Sequence, residues 1–412
     1  MVSLREQQSS REKPPTKPFK LGMAGLGIGG GMILKAAERM PEVEIFAAAD
    51  VRRSALDAFQ ARYEGRVYDS VEALCEDSDV EVVWVATPNH LHCEHVVMAA
   101  DHGKHVVSEK PMALNVEQCE RMVEAAEKNG VLLSCGHTFS LSPGIQTMRQ
   151  VIKSGELGGL ISLSVWLYTD WMLKPRMPEE IDVTLGGGVV YRHGPHVLDS
   201  IRLLGGGMVR SVRAQTGSWM KERPKAPGNY AAFIEFEDGT PATVTYNGYG
   251  HFYTAELTWG LGTRLYSPEE AVAVRKALRA GEFDVEAEKE AMRFIGGGGT
   301  SAPAQPAGVG GGGGSSISFG VYLASCEGGD IRQSPDGLLI YDDEGQREIP
   351  LVGERVGGNG ELMEMYRALR EGGPIRHDGR WGMATLELIA AIMQSGRERR
   401  EIHLTHQCPS PY

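Results

Sequence analysis

No run of apolar residues in this sequence approaches the roughly 20 needed to cross a bilayer, so no membrane association is expected. The segment Met1 to Pro18 is polar and charged and lacks the apolar centre of a secretory signal. Cysteine is sparse: six in 412 residues, scattered, with no C-x-x-C pair. Three of the six fall in apparent helix or strand patterns, which reads as buried free thiols in a reducing compartment, the cytoplasm. Positive charge is also in short supply, with 42 Lys and Arg against 54 Asp and Glu and a net charge of −12. That balance argues against nucleic acid or an anionic membrane surface as partner. A small-molecule enzyme with two domains suits the length.

Glycine, in contrast, is plentiful, and its placement is informative. Phe19 to Ala24 reads as a short strand that runs into Gly25, Gly27, Ile28 and Gly30, followed by the helical pattern Met32 to Ala37. This is G-x-G-x-x-G between a strand and a helix. Missing side chains allow the tight turn and let a pyrophosphate approach the backbone, while the helix N-terminus supplies N–H groups and a favourable dipole. The next strand, Pro41 to Ala49, ends at Asp50, about twenty residues on, where a carboxylate can bind both ribose hydroxyls of NAD. Arg52 and Arg53 follow and keep NADP open as the alternative, because either could pair with a 2′-phosphate.

From Phe19 to about Cys135, short apolar runs alternate with helical patterns, as in a doubly wound parallel sheet. The strand ends carry Gly27, Asp50, Thr87-Pro88-Asn89 and Glu109-Lys110-Pro111, all on the edge where open α/β sheets bind ligands. His90, His92, Cys93 and His95 match no zinc spacing, and no metal is expected.

The glycine turn, Asp50, Thr87-Pro88-Asn89-His90-Leu91-His92 and Glu109-Lys110-Pro111 together resemble the Gfo/Idh/MocA family of NAD(P)-dependent oxidoreductases. The resemblance runs to about residue 400. It implies a Rossmann domain over 18–140, after a disordered tail over 1–17, and then an α+β domain over 141–412. The second domain would carry a large open, mostly antiparallel sheet, forming the substrate floor and often a homo-oligomer interface in dimers or tetramers. It also implies that Gly25, Gly27, Ile28, Gly30, Asp50, Thr87, Pro88, Asn89, His92, Glu109 and Lys110 surround the cofactor. Lys110 would lie at the nicotinamide and the reacting carbon, where a lowered pKa would suit it to proton transfer.

In the second part of the chain, Gly186-Gly187-Gly188 runs into an amphipathic helix ending near Leu204. The resemblance places His196 beside the reacting hydroxyl, next to Lys110, with His193 on the same segment. Where the family carries an aspartate, this chain has Arg192. Arginine stays protonated and cannot act as a base; its planar fork suits a carboxylate, either of a substrate or of its own chain. Trp166 to Met177 sets aromatics beside cations, Tyr168 and Arg176 among them, and either lines a pocket for a ring acid or packs as a surface loop. His251 ends a strand and reads as a pocket residue or as a structural one. Residues 295–315 form a glycine-rich insertion expected to be mobile. Ser334 to Gly337, Tyr246 to Phe252, His377 to Gly382 and the Arg192–His196 arrangement resemble the phthalate 4,5-dihydrodiol dehydrogenase group within the family. The expected activity is NAD-dependent oxidation of a carboxylated cis-dihydrodiol, from phthalate or a halobenzoate, to a catechol. A sugar, sugar-acid or cyclitol dehydrogenase is the alternative, and a dinucleotide-binding sensor or scaffold a third reading.

Overall fold

The computed structural model describes residues 17–136, 139–262, 264–292, 317, 319–351 and 360–411. The expected glycine-rich insertion, and the expected tail up to residue 16, lie outside the described residues.

The first sheet is built from β1 (Phe19–Ala24), α1 (Ile28–Ala37), β2 (Val43–Ala49), α2 (Arg53–Tyr63), β3 (Arg66–Tyr68), α3 (Val71–Glu76), β4 (Val82–Val85), α4 (His92–Asp101), β5 (His105–Glu109), α5 (Val116–Asn129) and β6 (Leu133–Gly136). Its six strands are parallel in the order β3-β2-β1-β4-β5-β6, the doubly wound arrangement expected. Central β4, Val-Val-Trp-Val, is buried along its whole length, as a strand covered by helices on both faces must be. The order reverses between β1 and β4, and ligand crevices of such sheets open there, at the C-terminal strand ends.

The second unit contains α6 (Pro143–Ser154), β7 (Leu160–Tyr168), α7 (Val189–Arg192), α8 (Gly194–Leu204), β8 (Val209–Gly217), β9 (Asn229–Phe236), β10 (Pro241–Asn247), α9 (Pro268–Ala280), α10 (Val285–Ala291), β11 (Val321–Cys326), β12 (Gly329–Gln333), β13 (Gly337–Asp342) and β14 (Gly345–Pro350). The helices α11 (Gly360–Glu371) and α12 (Gly379–Glu398) and the short β15 (Ile402–His403) follow. Nine strands form one sheet in the order β14-β13-β12-β11-β7-β10-β9-β8-β15. Only β7 and β10 pair in parallel; the other pairings are antiparallel. Alternation sorts the faces. Tyr230, Ala232, Ile234 and Phe236 of β9 enter the core with Val197, Leu198 and Ile201 of α8. Phe233 of β9 and Ile161 and Trp166 of β7 are left exposed on the opposite face.

The C-terminal helices tie the two units together. Leu362, Met365 and Tyr366 of α11 join the core of the first sheet. On α12, Met383 and Leu386 pack into the first unit while Leu388, Ile389 and Ile392 pack into the second. Among the described residues no helix is long and apolar enough to cross a membrane.

One expected element is divided. The single helix foreseen from 189 to Leu204 is α7 followed by α8, with His193 at φ −115° between them. Pro195 lacks an N–H and its ring obstructs the preceding turn, so it opens a new helix instead of continuing the old one. This break turns His193 and His196 toward one another, with ring centroids 6.2 Å apart.

Candidate active site

The glycine turn is sterically enforced. Gly25 has φ +97°, and a Cβ there would sit 2.7 Å from the Ala86 carbonyl oxygen. A Cβ on Gly30 would collide with the carbonyl of Gly25. Gly27 differs, because nothing lies within 4 Å of where its Cβ would be. It caps the N-terminus of α1, so free N–H groups open onto unfilled space, which is the cradle a pyrophosphate requires. Ile28 is the first residue of that helix. At the end of β2, the Asp50 carboxylate accepts from the Leu26 N–H at 2.7 Å and the Arg52 N–H at 2.8 Å. The guanidinium of Arg52 lies on the same carboxylate at 3.1 Å, and Arg53 pairs with Asp57 at 2.8 Å. Both arginines that could have met a 2′-phosphate are engaged by carboxylates. The residues present fit NAD.

His92 joins the next two loops rather than facing the crevice. It is buried, with Nδ1 2.9 Å from the Pro111 carbonyl and Nε2 2.8 Å from that of Thr87. It thereby fixes Thr87-Pro88-Asn89 against Glu109-Lys110-Pro111. The Thr87 hydroxyl lies 2.9 Å from His95 Nδ1, while Pro88 stays exposed. Buried Glu109 holds its carboxyl near the Gly29 backbone, 4.0 Å from where a Cβ would be, at the start of α1. Among the described residues no group of His, Cys, Asp and Glu is arranged to hold a metal.

Facing these loops are α7 and the 3-10 turn Pro178–Ile181. Arg192 donates to Asn89 Oδ1 and to Glu180 Oε1, both at 2.9 Å. Its carbonyl accepts from Lys110 Nζ at 3.3 Å. Of the two carboxylate partners left open for Arg192, a substrate's or one of its own chain, the fork engages its own chain's Glu180. Glu180 also holds Lys289 of α10 and lies 3.6 Å from Arg176, whose guanidinium covers the Trp171 ring at 4.0 Å. Three cations thus share one carboxylate, and they draw the Glu180 pKa down to about 2 against the opposing effect of burial. The cluster keeps an excess of positive charge.

That excess acts on its neighbours. Lys110, largely desolvated, is lowered to about 8, with Arg192 and Arg176 adding to the burial effect and Glu109 opposing it. His193 is held well below its ordinary value by burial and then by Lys174, Arg176, Lys110 and Arg192. It is a neutral imidazole whose Nδ1 lies 2.6 Å from the Tyr246 hydroxyl. His196 sits in an aromatic box, edge-on to Phe139 at 4.9 Å and Phe319 at 5.1 Å.

The helix bearing His196 is anchored one turn later. Asp199 accepts from Trp381 Nε1 at 2.6 Å, from Thr385 at 2.9 Å and from the Ser140 hydroxyl. Ser140 Oγ in turn lies 2.9 Å from His377 Nε2. His377 and Trp381, singled out in the sequence as part of one short motif, therefore buttress α8 from the first residues of α12.

The structure brings Lys110, Asn89, Arg176, Arg192, His193 and His196 into one neighbourhood beside the glycine turn. It does not bring Tyr168 or His251 there. Tyr168 packs edge-on against Phe252 at 5.4 Å, and exposed His251 lines a separate cavity. Sequence reasoning missed Glu180 and Lys289. No local pattern marks either one; the Ser267-Pro268-Glu269-Glu270 capping box does announce α9, the helix preceding Lys289.

Residues 19–137 match the family model "Oxidoreductase family, NAD-binding Rossmann fold", and residues 145–259 match "GFO/IDH/MocA C-terminal domain". The 1-carboxy-3-chloro-3,4-dihydroxycyclohexa-1,5-diene dehydrogenase of Comamonas testosteroni is 33% identical over 92% of this chain and 95% of that protein. Levoglucosan dehydrogenase of Pseudarthrobacter phenanthrenivorans is 26% identical over 77% of this chain and 93% of its own length. A crystal structure from Bordetella bronchiseptica RB50 superposes with a TM-score of 0.85 at 34% identity, covering 94% of this chain and all of that one.

Proposed function

We propose that this chain, which belongs to the Gfo/Idh/MocA family of NAD-dependent oxidoreductases, oxidises a carboxylated cyclic cis-diol, derived from phthalate or a halobenzoate, to a catechol. The observation that carries this reading is the charge of the cluster. Arg176, Arg192 and Lys289 share the Glu180 carboxylate, and Lys110 lies beside them on the Arg192 carbonyl, with Glu109 as its acidic neighbour. Such a surplus suits an anionic ring and is poorly matched to a neutral polyol. The named activity of the Comamonas relative, on a carboxylated and chlorinated cyclohexadiene diol, supports it.

Bound NAD supplies the acceptor for a hydride from the ring carbon. The chain's own part is proton transfer and orientation. Lys110 in its neutral form takes the hydroxyl proton, and His196, one helical break away from His193, orients that hydroxyl. Arg176 and Lys289 offer the ring carboxylate their charge, while Arg192 is held in place by Asn89 and Glu180. Glu180 is too weak a base at a pKa of about 2 to compete for the proton. The ketone so formed enolises to the catechol, and aromatisation draws the reaction forward. Copies of the chain associate through the open sheet face that exposes Ile161, Trp166 and Phe233.

The test is NADH formation with 1-carboxy-3,4-dihydroxycyclohexa-1,5-diene, set beside levoglucosan and inositol. A kcat/KM at least about 100-fold higher for the acid is expected, since a desolvated charge pair contributes a few kcal/mol. Preference for levoglucosan or inositol would transfer the assignment to a sugar or cyclitol, a reading favoured by the levoglucosan relative.

A further inference from the structure

A cavity of about 660 Å³ opens between the end of β8, the segment after β10 and helix α9, and its lining includes neither Lys110, Arg192 nor His196. Its size is that of a small-molecule site. We propose that this cavity is a second binding site, for planar aromatic carboxylates. One wall is aromatic. The rings of Trp219 and Tyr249 stack at 6.1 Å with 23° between their planes. The pair is fixed by the Trp219 N–H donating to the Tyr249 hydroxyl at 3.0 Å and by that hydroxyl donating to the Gly217 carbonyl at 3.2 Å. Yet Trp219 remains 69% exposed, so a large flat apolar surface is held rigid and left uncovered. A ring laid on it would gain both area and a stacking geometry.

The opposite wall is cationic. Arg275 and Arg279 lie four residues apart on α9 and so share a face. Arg275 is aimed by its hydrogen bond to the Gly250 carbonyl at 2.6 Å. Neither arginine has a carboxylate partner among the described residues. The contrast with the Lys110 cluster is direct, because there the cations are gathered on Glu180. His251, between the two walls, is depressed by burial and then by Arg275 and Arg279, which marks the positive field inside. Glu222 is the one acidic side chain in the lining, and Lys221 stands beside it. A carboxylate reaching the arginines from a ring stacked on Trp219 meets both requirements at once.

The location gives the site a use. Leu173 and Asn247 line the cavity, whereas their near neighbours Trp171 and Tyr246 face His193. The cavity is thus lined by sequence neighbours of residues that pack on His193. A ring acid held here is stored next to the place where, on the proposed function, its diol is oxidised. The binding itself needs no turnover.

The experiment is a titration of the NAD-loaded full-length protein with benzoate, followed by tryptophan fluorescence and by calorimetry. Saturable quenching is expected, with affinity at least tenfold weaker in R279Q and in W219L. Benzamide, the neutral isostere, should bind at least tenfold more weakly than benzoate. Both substituted side chains are exposed, so unchanged NAD affinity would show that each variant is folded. Benzoate binding equally tight in both variants would overturn the proposal, and so would benzamide matching benzoate. Failure to oxidise the diol while benzoate still binds would instead sink the substrate assignment alone.

Discussion

The protonation of Lys110 offers the sharpest check on the active-site reading. Desolvation, assisted by Arg192 and Arg176, takes the ammonium from an ordinary 10.5 to about 8. At pH 7 the neutral, base-competent fraction is then about 10%, against about 0.03% for an unperturbed lysine, a gain of roughly 300-fold. The oxidation should therefore show an acid limb in kcat/KM with a midpoint near 8, activity rising with pH through it. K110M should lose about 10²- to 10⁴-fold and, in its residual activity, lose the limb. Stability carries the opposite sign. The folded state disfavours the charged lysine, so Lys110 costs stability fully below pH 8, and the cost fades as pH rises toward 10.5. Its upper bound is about 3 kcal/mol, since each pKa unit is about 1.4 kcal/mol and the group retains some exposure. K110M should be the more stable protein at neutral pH by denaturant unfolding. A limb that persists at the same pH in K110M, or lies below pH 6.5 in the wild type, would refute the assignment of Lys110 as base.

Three further outcomes are expected. Arg192 lowers the lysine's pKa, so R192A should move the acid limb of kcat/KM upward while raising KM for the carboxylated diol; an unmoved limb would remove Arg192 from the site's electrostatics. The Glu180 carboxylate, lowered from 4.5 to about 2, contributes stability of about 3 kcal/mol, present above pH 4.5 and lost as pH falls toward 2. E180Q should lose that amount at neutral pH, with the gap to wild type closing in acid, and identical unfolding midpoints at pH 7 would contradict it. Burial opposes the charge on His377, but Glu364, then Asp199 and Glu361, prevail and raise its pKa. Its contribution is complete below pH 6.5 and is lost as pH climbs through the folded value, so H377Q should flatten the dependence of Tm on pH across that window.

The fold was legible where local rules decide it. The glycine turn, the strand that runs into it and the alternation of apolar runs with helical patterns up to Cys135 each satisfy a constraint that acts within a few residues. β3, three residues long on the edge of its sheet, and β15, of two residues, are too short to carry a period. Asp50, Lys110 and His196 were singled out through motif and resemblance. The meeting of Arg192 with Glu180 was left open, because their contact depends on how the 3-10 turn at Pro178–Ile181 folds back over α7. Lys289 was harder still. It arrives on a two-turn helix more than a hundred residues from Glu180, and no periodicity in the sequence encodes that approach.

The pairing also changes what the Arg192 substitution means. On the family resemblance, position 192 is where sugar and cyclitol enzymes carry an acid that holds or deprotonates a hydroxyl. Here the carboxylate has not been lost from the neighbourhood, since Glu180 reaches Arg192 Nη2 at 2.9 Å. It has been enclosed. With three cations on it and a pKa of about 2, Glu180 can fix charge but cannot accept a proton at neutral pH. Burial, assisted by two of those cations, Arg192 and Arg176, pushes Lys110 toward the pH at which an amine is an effective base. On the proposed function, one ion cluster thus withdraws the acidic group from proton transfer and prepares the lysine for it. An anion entering beside Arg176 would weaken its field and raise the Lys110 pKa, so substrate binding and the neutral fraction of the lysine are coupled. A neutral polyol would leave the field unscreened and the lysine pKa low, so the charge of the substrate bears on the protonation of Lys110 as well as on recognition.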